Sequence, residues 1–216
     1  MRVKLIAVTC PLLEGMHEGS QERLIASAAR CCWSSKPIEE IYASMGRERV
    51  ERFLEKLMKL EHLSPFEHVS LTFYIEGISR VTSHQLVRHR IASYSQQSQR
   101  HVKVEEGSFI TPPSIRENPE ALRVFEEAVE SCMKAYRKLV ELGVHIEDAR
   151  YIIPQAVKTN IVVTMNVREL LHFFKLRLAP DAQWEIRMMA SEMLKQAAEV
   201  LPTVFKPLLE RRLKGE

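Results

Sequence analysis

Residues 88–100, RHRIASYSQQSQR, combine arginines and a histidine with serines and glutamines and contain no carboxylate. The acid-free stretch extends from Gly77 to Val104 and carries five lysine or arginine side chains. The whole chain has a net charge of only +3, so the rest of it is slightly acidic. Positive charge confined to one segment is typical of a site for an anionic ligand, whereas diffuse adhesion to nucleic acid needs a broadly basic surface.

The amino-acid composition indicates how such a ligand would be held. The chain has seven glycines, none of them in a GxGxxG or GxxxxGK arrangement, so a glycine-rich phosphate loop is not predicted. Arginine side chains would have to neutralise the phosphates, and the permanently charged planar guanidinium suits that task. The serines and glutamines of the segment add neutral groups that can bind a base or a ribose. The alternative is a solvated basic helix end, although solvated faces normally mix both signs of charge.

A second polar group lies nearer the C-terminus. Asn166, Arg168 and His172 begin a predicted helix, whose N-terminus would favour an anion or a carbonyl oxygen. The segment by itself is read more simply as an asparagine cap followed by exposed basic residues. Arg150 is equally ambiguous, because Glu147 lies three residues before it and can pair with it.

Two other kinds of chemistry are not predicted. His62 and His68 flank a proline turn, and no HExxH motif or Cys/His set completes a metal site. A nucleophilic Ser98 would need a base and an oxyanion hole, and the chain has no GxSxG elbow.

The elements around these residues form a mixed order. Clean alternation predicts a half-buried strand at 68–77, and a helix follows from Ser79 through Arg90. We expect a loop at 91–98, a short strand near 99–104 and a long helix from Asn118 to Gly143. The apolar, β-branched segment 160–166 predicts another strand, with helices at 167–178, 182–199 and 202–213. This order favours the α+β class, and the absence of repeats or linkers predicts a single domain over 1–216.

The spacing of the basic motif is specific. Arg88-His89-Arg90, then seven residues, Ser98 and Arg100 resembles the signature of flavin-dependent thymidylate synthases, the ThyX family. The resemblance continues in SPFEH at 64–68, in HQLVRHRIAS at 84–93, from Arg150 to Pro154, and in the MNVREL and AQWEI segments within 165–186. It implies a ThyX-like mixed fold, a short antiparallel sheet flanked by helices.

The resemblance also implies a reaction, the reductive methylation of dUMP to dTMP. Methylenetetrahydrofolate would donate the one-carbon unit, FAD would be the cofactor that supplies the hydride, and NADPH would reduce the flavin. It implies a homotetramer with shared active sites and small-molecule substrates. The four cysteines, which form no CxxC pair, favour a cytoplasmic protein, and the apolar runs are too short for a membrane helix. A nucleic-acid partner is not expected, because the positive charge is localised.

Roles are implied for residues at matching positions. Contacts to FAD are expected from Ser64, Arg88, His89, Arg90, Gln96, Asn166, Val167, Arg168 and His172. Contacts to dUMP are expected from Gln85, Leu86, Val87, Arg88, Gln96, Gln97, Ser98, Gln99, Arg100, Arg150 and Arg177. Arg177 is the expected catalytic residue, because a guanidinium beside the uracil favours the N3-deprotonated form and raises electron density at C5. No covalent nucleophile is implied, so Ser98 would be a ligand.

Three positions depart from the common family pattern. Ser95 and Gln96 stand where asparagine and glutamate are common, and His172 stands where asparagine is common. Gln96 can still form hydrogen bonds, but it cannot act as a carboxylate base. These changes leave open a flavin reductase without methyl transfer. The basic segment also leaves open an RNA- or single-strand-binding module, although Tyr94 is its only Phe, Trp or Tyr for base stacking.

Overall fold

The computed structural model describes residues 1–13, 20–105 and 107–213. Four strands form one sheet, in the order β1-β2-β4-β3. The strands are β1 (Arg2–Val8), β2 (Ser70–Ser79), β3 (Ala92–Gln96) and β4 (Lys158–Asn166). The helices are α1 (Ser20–Cys31), α2 (Ile38–Ala43), α3 (Arg47–Lys59), α4 (Arg80–Leu86), α5 (Pro113–Arg116), α6 (Pro119–Glu141), α7 (Ile146–Ala149), α8 (Val167–Arg177), α9 (Trp184–Val200) and α10 (Pro202–Leu213), with short 3₁₀ turns at Ser64–His68 and Arg150–Ile152.

The chain divides into two compact units. The first unit contains Met1–Arg2, Ile75–Arg88 and Ser95–Ile161, and the second contains Val3–Tyr74, His89–Tyr94 and Val162–Glu216. The prediction of a single domain over 1–216 stays a prediction.

Each unit has its own apolar core. In the first unit, Met133 and Tyr136 of α6 are buried with Ala149 of α7, and Phe109 and Val129 pack against them. In the second unit an aromatic series connects two helices, because Phe174 of α8 stacks edge-on against Phe205 of α10 at a centroid distance of 5.5 Å. The core of the second unit holds α8, the helix that carries Arg168, His172 and Arg177.

Most predicted elements are confirmed. β2 shows the expected alternation, with Leu71, Phe73 and Ile75 fully buried. Ser79 caps α4 through its hydroxyl, which accepts a hydrogen bond from the backbone N–H of Thr82 at 3.1 Å. Asn118 caps α6 in the same way.

Two predictions around the basic motif are wrong. The helix predicted to reach Arg90 ends at Leu86, so the RHR triplet follows the helix. The strand predicted near 99–104 lies instead at β3, within the predicted loop 91–98. Residues 98–102 form a turn, in which the backbone N–H of Val102 donates to the carbonyl oxygen of Ser98 at 3.0 Å. The sequence ASYSQ alternates half-buried and exposed positions, but its polar composition concealed the strand.

Candidate functional site

In the second unit, His89 lies at the centre of a buried polar cluster. His89 lies three residues beyond the end of α4, and it is 4% exposed. The Nδ1 atom lies 3.0 Å from Oε1 of Glu169, and Nε2 lies 3.0 Å from Nε of Arg177. Both ring nitrogens therefore form hydrogen bonds within the protein.

The carboxylate of Glu169 was missed by the sequence analysis. Glu169 is the third residue of α8, and its backbone N–H donates to Oδ1 of Asn166, the cap of that helix, at 2.8 Å. A glutamate at this position usually supports a helix N-terminus from the surface. Here the residue is 6% exposed and its side chain is directed to His89. No local pattern shows that burial, since the partner is distant in sequence.

The surroundings of His89 favour its neutral form. Burial lowers the pKa of the imidazole, and the nearby Arg177 guanidinium and His172 lower it further, whereas the hydrogen bond and the negative charge of Glu169 act in the opposite direction. The net shift is downward. His89 is thus held uncharged between a carboxylate and a guanidinium.

Aromatic rings and a backbone contact fix the position of His89. Its ring meets Phe173 edge-on at 5.0 Å and His172 at 5.7 Å between centroids. The hydroxyl of Tyr94 donates to the carbonyl oxygen of His89 at 2.7 Å. Arg90 is exposed, as is His172 on α8.

A cavity of about 630 Å³ lies elsewhere in the second unit. Two residues with expected flavin contacts, Ser64 and Arg168, line it together with Trp33, Arg30 and Lys56. Arg168 also donates a hydrogen bond to the Glu67 carboxylate. The indole of Trp33 is unusually accessible, because the residue is 81% exposed. The lining combines cations with apolar surface, a combination suited to a phosphorylated aromatic ligand.

In the first unit, Gln96 is held by two hydroxyl groups. Its Nε2 atom donates to Oγ of Ser83 at 3.0 Å and to Oγ1 of Thr159 at 3.1 Å. Thr159 and Ser83 are both buried. The Gln96 side chain is thereby anchored through its amide nitrogen, which donates both hydrogen bonds. An ionised glutamate only accepts hydrogen bonds, so at this position it would need both hydroxyl groups to donate instead.

Arg100 of the basic segment is paired with a carboxylate that lies outside this segment. Arg100 donates from Nε to Oε2 of Glu147 at 2.8 Å, and Arg150 donates from Nε to the backbone carbonyl oxygen of Glu147 at 3.0 Å. The side-chain pair suggested for Arg150 and Glu147 is therefore replaced by a backbone contact. Burial lowers the pKa of Arg80, and the nearby guanidinium of Arg150 lowers it further.

The remaining residues expected to bind dUMP also lie in the first unit, with one exception. Gln85 is half-buried, Leu86 is buried, and Val87 and Arg88 are exposed beyond the end of α4. In the turn that follows β3, Gln97 is exposed, Ser98 and Gln99 are half-buried, and Oγ of Ser98 accepts from the backbone N–H of Arg100. Arg177 is the exception, since it belongs to the second unit.

Most residues expected to contact the flavin belong to the second unit, whereas most of those expected to contact dUMP belong to the first. Ser64, His89, Arg90, Asn166, Val167, Arg168 and His172 belong to the second unit, and Arg88 and Gln96 belong to the first. Val167 is buried at the start of α8. Among the described residues, no group of three His, Cys, Asp or Glu side chains is placed to hold a metal ion.

Comparison with known proteins identifies the family. The family model described as thymidylate synthase complementing protein matches residues 12–203. The flavin-dependent thymidylate synthase of Geobacter sulfurreducens is 50% identical over 192 residues, which cover 88% of this chain and 83% of the relative. The chain belongs to the flavin-dependent thymidylate synthase family.

Other members of the flavin-dependent thymidylate synthase family match over similar lengths. The enzyme of that name from Clostridium tetani is 45% identical over 222 residues, covering 95% of this chain and 88% of the relative. The one from Pyrococcus furiosus is 47% identical over 171 residues, covering 77% of this chain and 68% of the relative. The family inferred from the RHR signature is thus confirmed, and with it the predictions of an enzyme of this class and of a flavin cofactor.

A solved structure confirms the fold. The crystal structure of the UMP/dUMP methylase PolB from Streptomyces cacaoi, bound with 5-Br dUMP, matches with a TM-score of 0.80. The match covers 95% of this chain and 93% of that one, at 23% sequence identity. At this identity the likeness concerns the fold alone, and it confirms the predicted α+β class. In the part of the chain that the structure describes, no helix has the length and apolar character needed to cross a bilayer.

Proposed function

We propose that this chain is a thymidylate synthase that converts dUMP to dTMP by reductive methylation. Methylenetetrahydrofolate is the one-carbon donor, and NADPH is the source of reducing equivalents. Family membership over residues 12–203 supports this assignment. FAD, when bound, carries the hydride that completes the methyl group.

The observation that carries the proposal is the placement of Arg177. Its Nε atom donates to a buried neutral imidazole, so one edge of the guanidinium is fixed by the protein. A guanidinium with a fixed orientation can be directed at the uracil carbonyl oxygen and N3, where it stabilises the negative charge of the N3-deprotonated ring. That charge raises the electron density at C5, the atom that is methylated. Arg177 is the catalytic residue in this proposal, and no enzyme nucleophile attacks the ring.

The residues of the second unit are suited to hold FAD. The cavity lined by Ser64 and Arg168 has a volume within the usual range for ligand pockets, roughly 300–1,000 Å³. Arg30, Lys56 and Arg168 offer positive charge to phosphates, and Trp33 offers an aromatic face to a ring system. Asn166, Val167, His172, His89 and Arg90 are proposed as further flavin contacts, along with Arg88 and Gln96.

The first unit is proposed to hold the nucleotide. Arg100 and Arg150 both contact Glu147, and a phosphate with two negative charges would compete for their guanidinium groups. Ser98 and Gln99 lie beside Arg100 in the turn after β3 and can bind phosphate or ribose oxygens. Gln96, anchored through its nitrogen, has a carbonyl oxygen that can accept a hydrogen bond from the base or the ribose. Gln85, Leu86, Val87, Arg88 and Gln97 complete the proposed set.

Assembly and location follow from the same proposal. We infer a cytoplasmic homotetramer in which active sites draw residues from several subunits. A nucleic-acid partner is disfavoured, because Tyr94 is half-buried and its hydroxyl is bonded to the His89 carbonyl oxygen. A stacking module would present such a ring to the bases.

The decisive experiment uses dUMP that carries tritium at C5. Purified protein is incubated with labelled dUMP, methylenetetrahydrofolate, FAD and NADPH, and both tritium release and NADPH oxidation are followed. The proposal expects tritium release that requires dUMP, folate and NADPH together. NADPH oxidation without tritium release would instead assign a flavin reductase, and would refute the synthase.

A further inference from the structure

We propose that Glu169 is a positioning residue, which acts through the His89 ring to hold the Arg177 guanidinium in its working orientation. The inference rests on the proposed function, because it concerns how the catalytic arginine of that reaction is held. The three side chains are joined in series by two hydrogen bonds of 3.0 Å.

The direction of the hydrogen bonds follows from the chemistry of arginine. Its Nε–H group can only donate, so Nε2 of His89 must be the acceptor and cannot carry a proton. The single proton of the neutral ring is then on Nδ1, where it is donated to the Glu169 carboxylate. The carboxylate therefore selects the tautomer that Arg177 requires.

The alternative states of the ring break this series. A proton on Nε2 would face the Nε–H of Arg177, and two donors cannot form a hydrogen bond. A charged imidazolium also carries a proton on Nε2, so it could not accept the hydrogen bond from Arg177 either. Without an acceptor at Nδ1, nothing in the series would favour the Nδ1–H tautomer over the other. The orientation of Arg177 thus depends on a carboxylate that acts through the His89 ring.

The framework of the series is rigid. Glu169 and Arg177 are both on α8, eight residues apart, a rise of about 12 Å along the helix axis. His89 bridges this separation from a different segment of the chain, and Phe173 packs against its ring. Asn166 fixes the first turn of α8 through the Glu169 N–H group. Small displacements of a guanidinium matter, because a misplacement of about 1 Å can cost roughly 100-fold in rate.

The tautomer can be measured without substrates. We would label histidine with ¹⁵N, assign the His89 signals by their loss in His89→Gln, and record them in the purified protein at neutral pH. The expected result is a proton on Nδ1 and an unprotonated Nε2. A proton on Nε2, or a charged imidazolium, would overturn the proposal whatever the enzyme activity.

Two substitutions at Glu169 test the functional consequence. Glu169→Leu removes the acceptor, and we expect kcat for tritium release to fall about 100-fold while flavin absorbance and the KM for dUMP change little. Glu169→Gln retains an oxygen acceptor for the Nδ1–H group, and kcat should fall no more than about tenfold. Glu22→Gln is the matched control, because Glu22 is equally buried, at 5% exposure, and is bonded to Thr203. Its kcat should equal that of wild type.

The pH dependence of kcat distinguishes a positioning role of Glu169 from a purely structural one. His89 faces Glu169, Arg177 and His172, and Glu169 raises the pKa of His89 against the lowering effects of burial, Arg177 and His172. Glu169→Gln should therefore move the acid limb of kcat to lower pH. An unmoved limb, a wild-type kcat in Glu169→Leu, or an equal loss in Glu22→Gln would each refute the positioning role. If wild type releases no tritium, the proposed function is refuted. The ¹⁵N measurement of the His89 tautomer does not depend on activity, so it tests the Glu169–His89–Arg177 arrangement independently.

Discussion

The burial of a neutral His89 makes the stability of the protein depend on pH in a way that one substitution can isolate. In the folded chain the pKa of His89 lies below its ordinary value of 6.5, chiefly because of burial. Below about pH 6.5 the unfolded chain therefore binds a proton that the folded chain does not. Stability is lost as the pH falls from 6.5 towards the folded-state pKa, and it is fully present above 6.5.

The size of this effect follows from proton linkage. One proton taken up only by the unfolded chain lowers the free energy of unfolding by up to about 1.4 kcal/mol per pH unit. His89→Gln removes the titration and keeps both contacts, since the amide nitrogen can donate to Glu169 and its oxygen can accept from Arg177. The free energy of unfolding of wild type should therefore decline more steeply below pH 6.5 than that of the variant.

The assay is urea unfolding at several pH values between 5 and 8, followed by tryptophan fluorescence. The other seven histidines are common to both proteins, so their contributions cancel in the difference. His172→Gln is the control, because it removes a neighbouring exposed histidine and should keep most of the wild-type slope. Equal slopes for wild type and His89→Gln would show that folding does not lower the pKa of His89, and would refute the reasoning.

Three further predictions concern the proposed site. Arg177→Ala should lower kcat at least 100-fold, the cost of losing one charge-stabilising donor, while flavin absorbance remains; an unchanged kcat would contradict its catalytic role. Asn166→Ala and Asn118→Ala each remove a helix cap, and each should lower the free energy of unfolding in urea by about 1 kcal/mol. Only Asn166→Ala should also weaken flavin binding in a fluorescence titration. Equal flavin affinities of the two variants would count against Asn166 as a flavin contact. Gln96→Leu should destabilise the chain by about 1–3 kcal/mol, because it leaves the hydroxyls of two buried residues without this partner, and wild-type unfolding would show that those hydroxyls are satisfied otherwise.

The elements with strong periodicity could be predicted from the sequence. The alternation in β2, the asparagine cap of α6 and the apolar stretch of β4 each contain a local signal, and the structure has all three. β3 could not be predicted, because its stability comes from pairing with β4 while its own residues are mostly polar. Short strands of this kind are specified by their neighbours.

The site was predictable by residue type and spacing, but its internal contacts were not. The acid-free stretch offers its arginines no carboxylate nearby in sequence, whereas Arg100 has a carboxylate partner in Glu147, 47 positions away. The RHR triplet forms one basic motif in the sequence, yet its central residue is buried and its two arginines are exposed. Glu169 resembled an ordinary residue of a helix first turn. In each case the partner is distant in sequence, so no local pattern could show the contact.

The length of α8 carries a consequence for how this chain can vary. Its N-terminal cap and its last residue are both proposed to meet ligands, and the helix is the direct connection between them. Inserting one residue inside it would rotate the far end by about 100° and advance it by about 1.5 Å. Arg177 would then leave the imidazole that holds it. We expect insertions and deletions to be excluded from 167–177, even at exposed positions where single substitutions are tolerated.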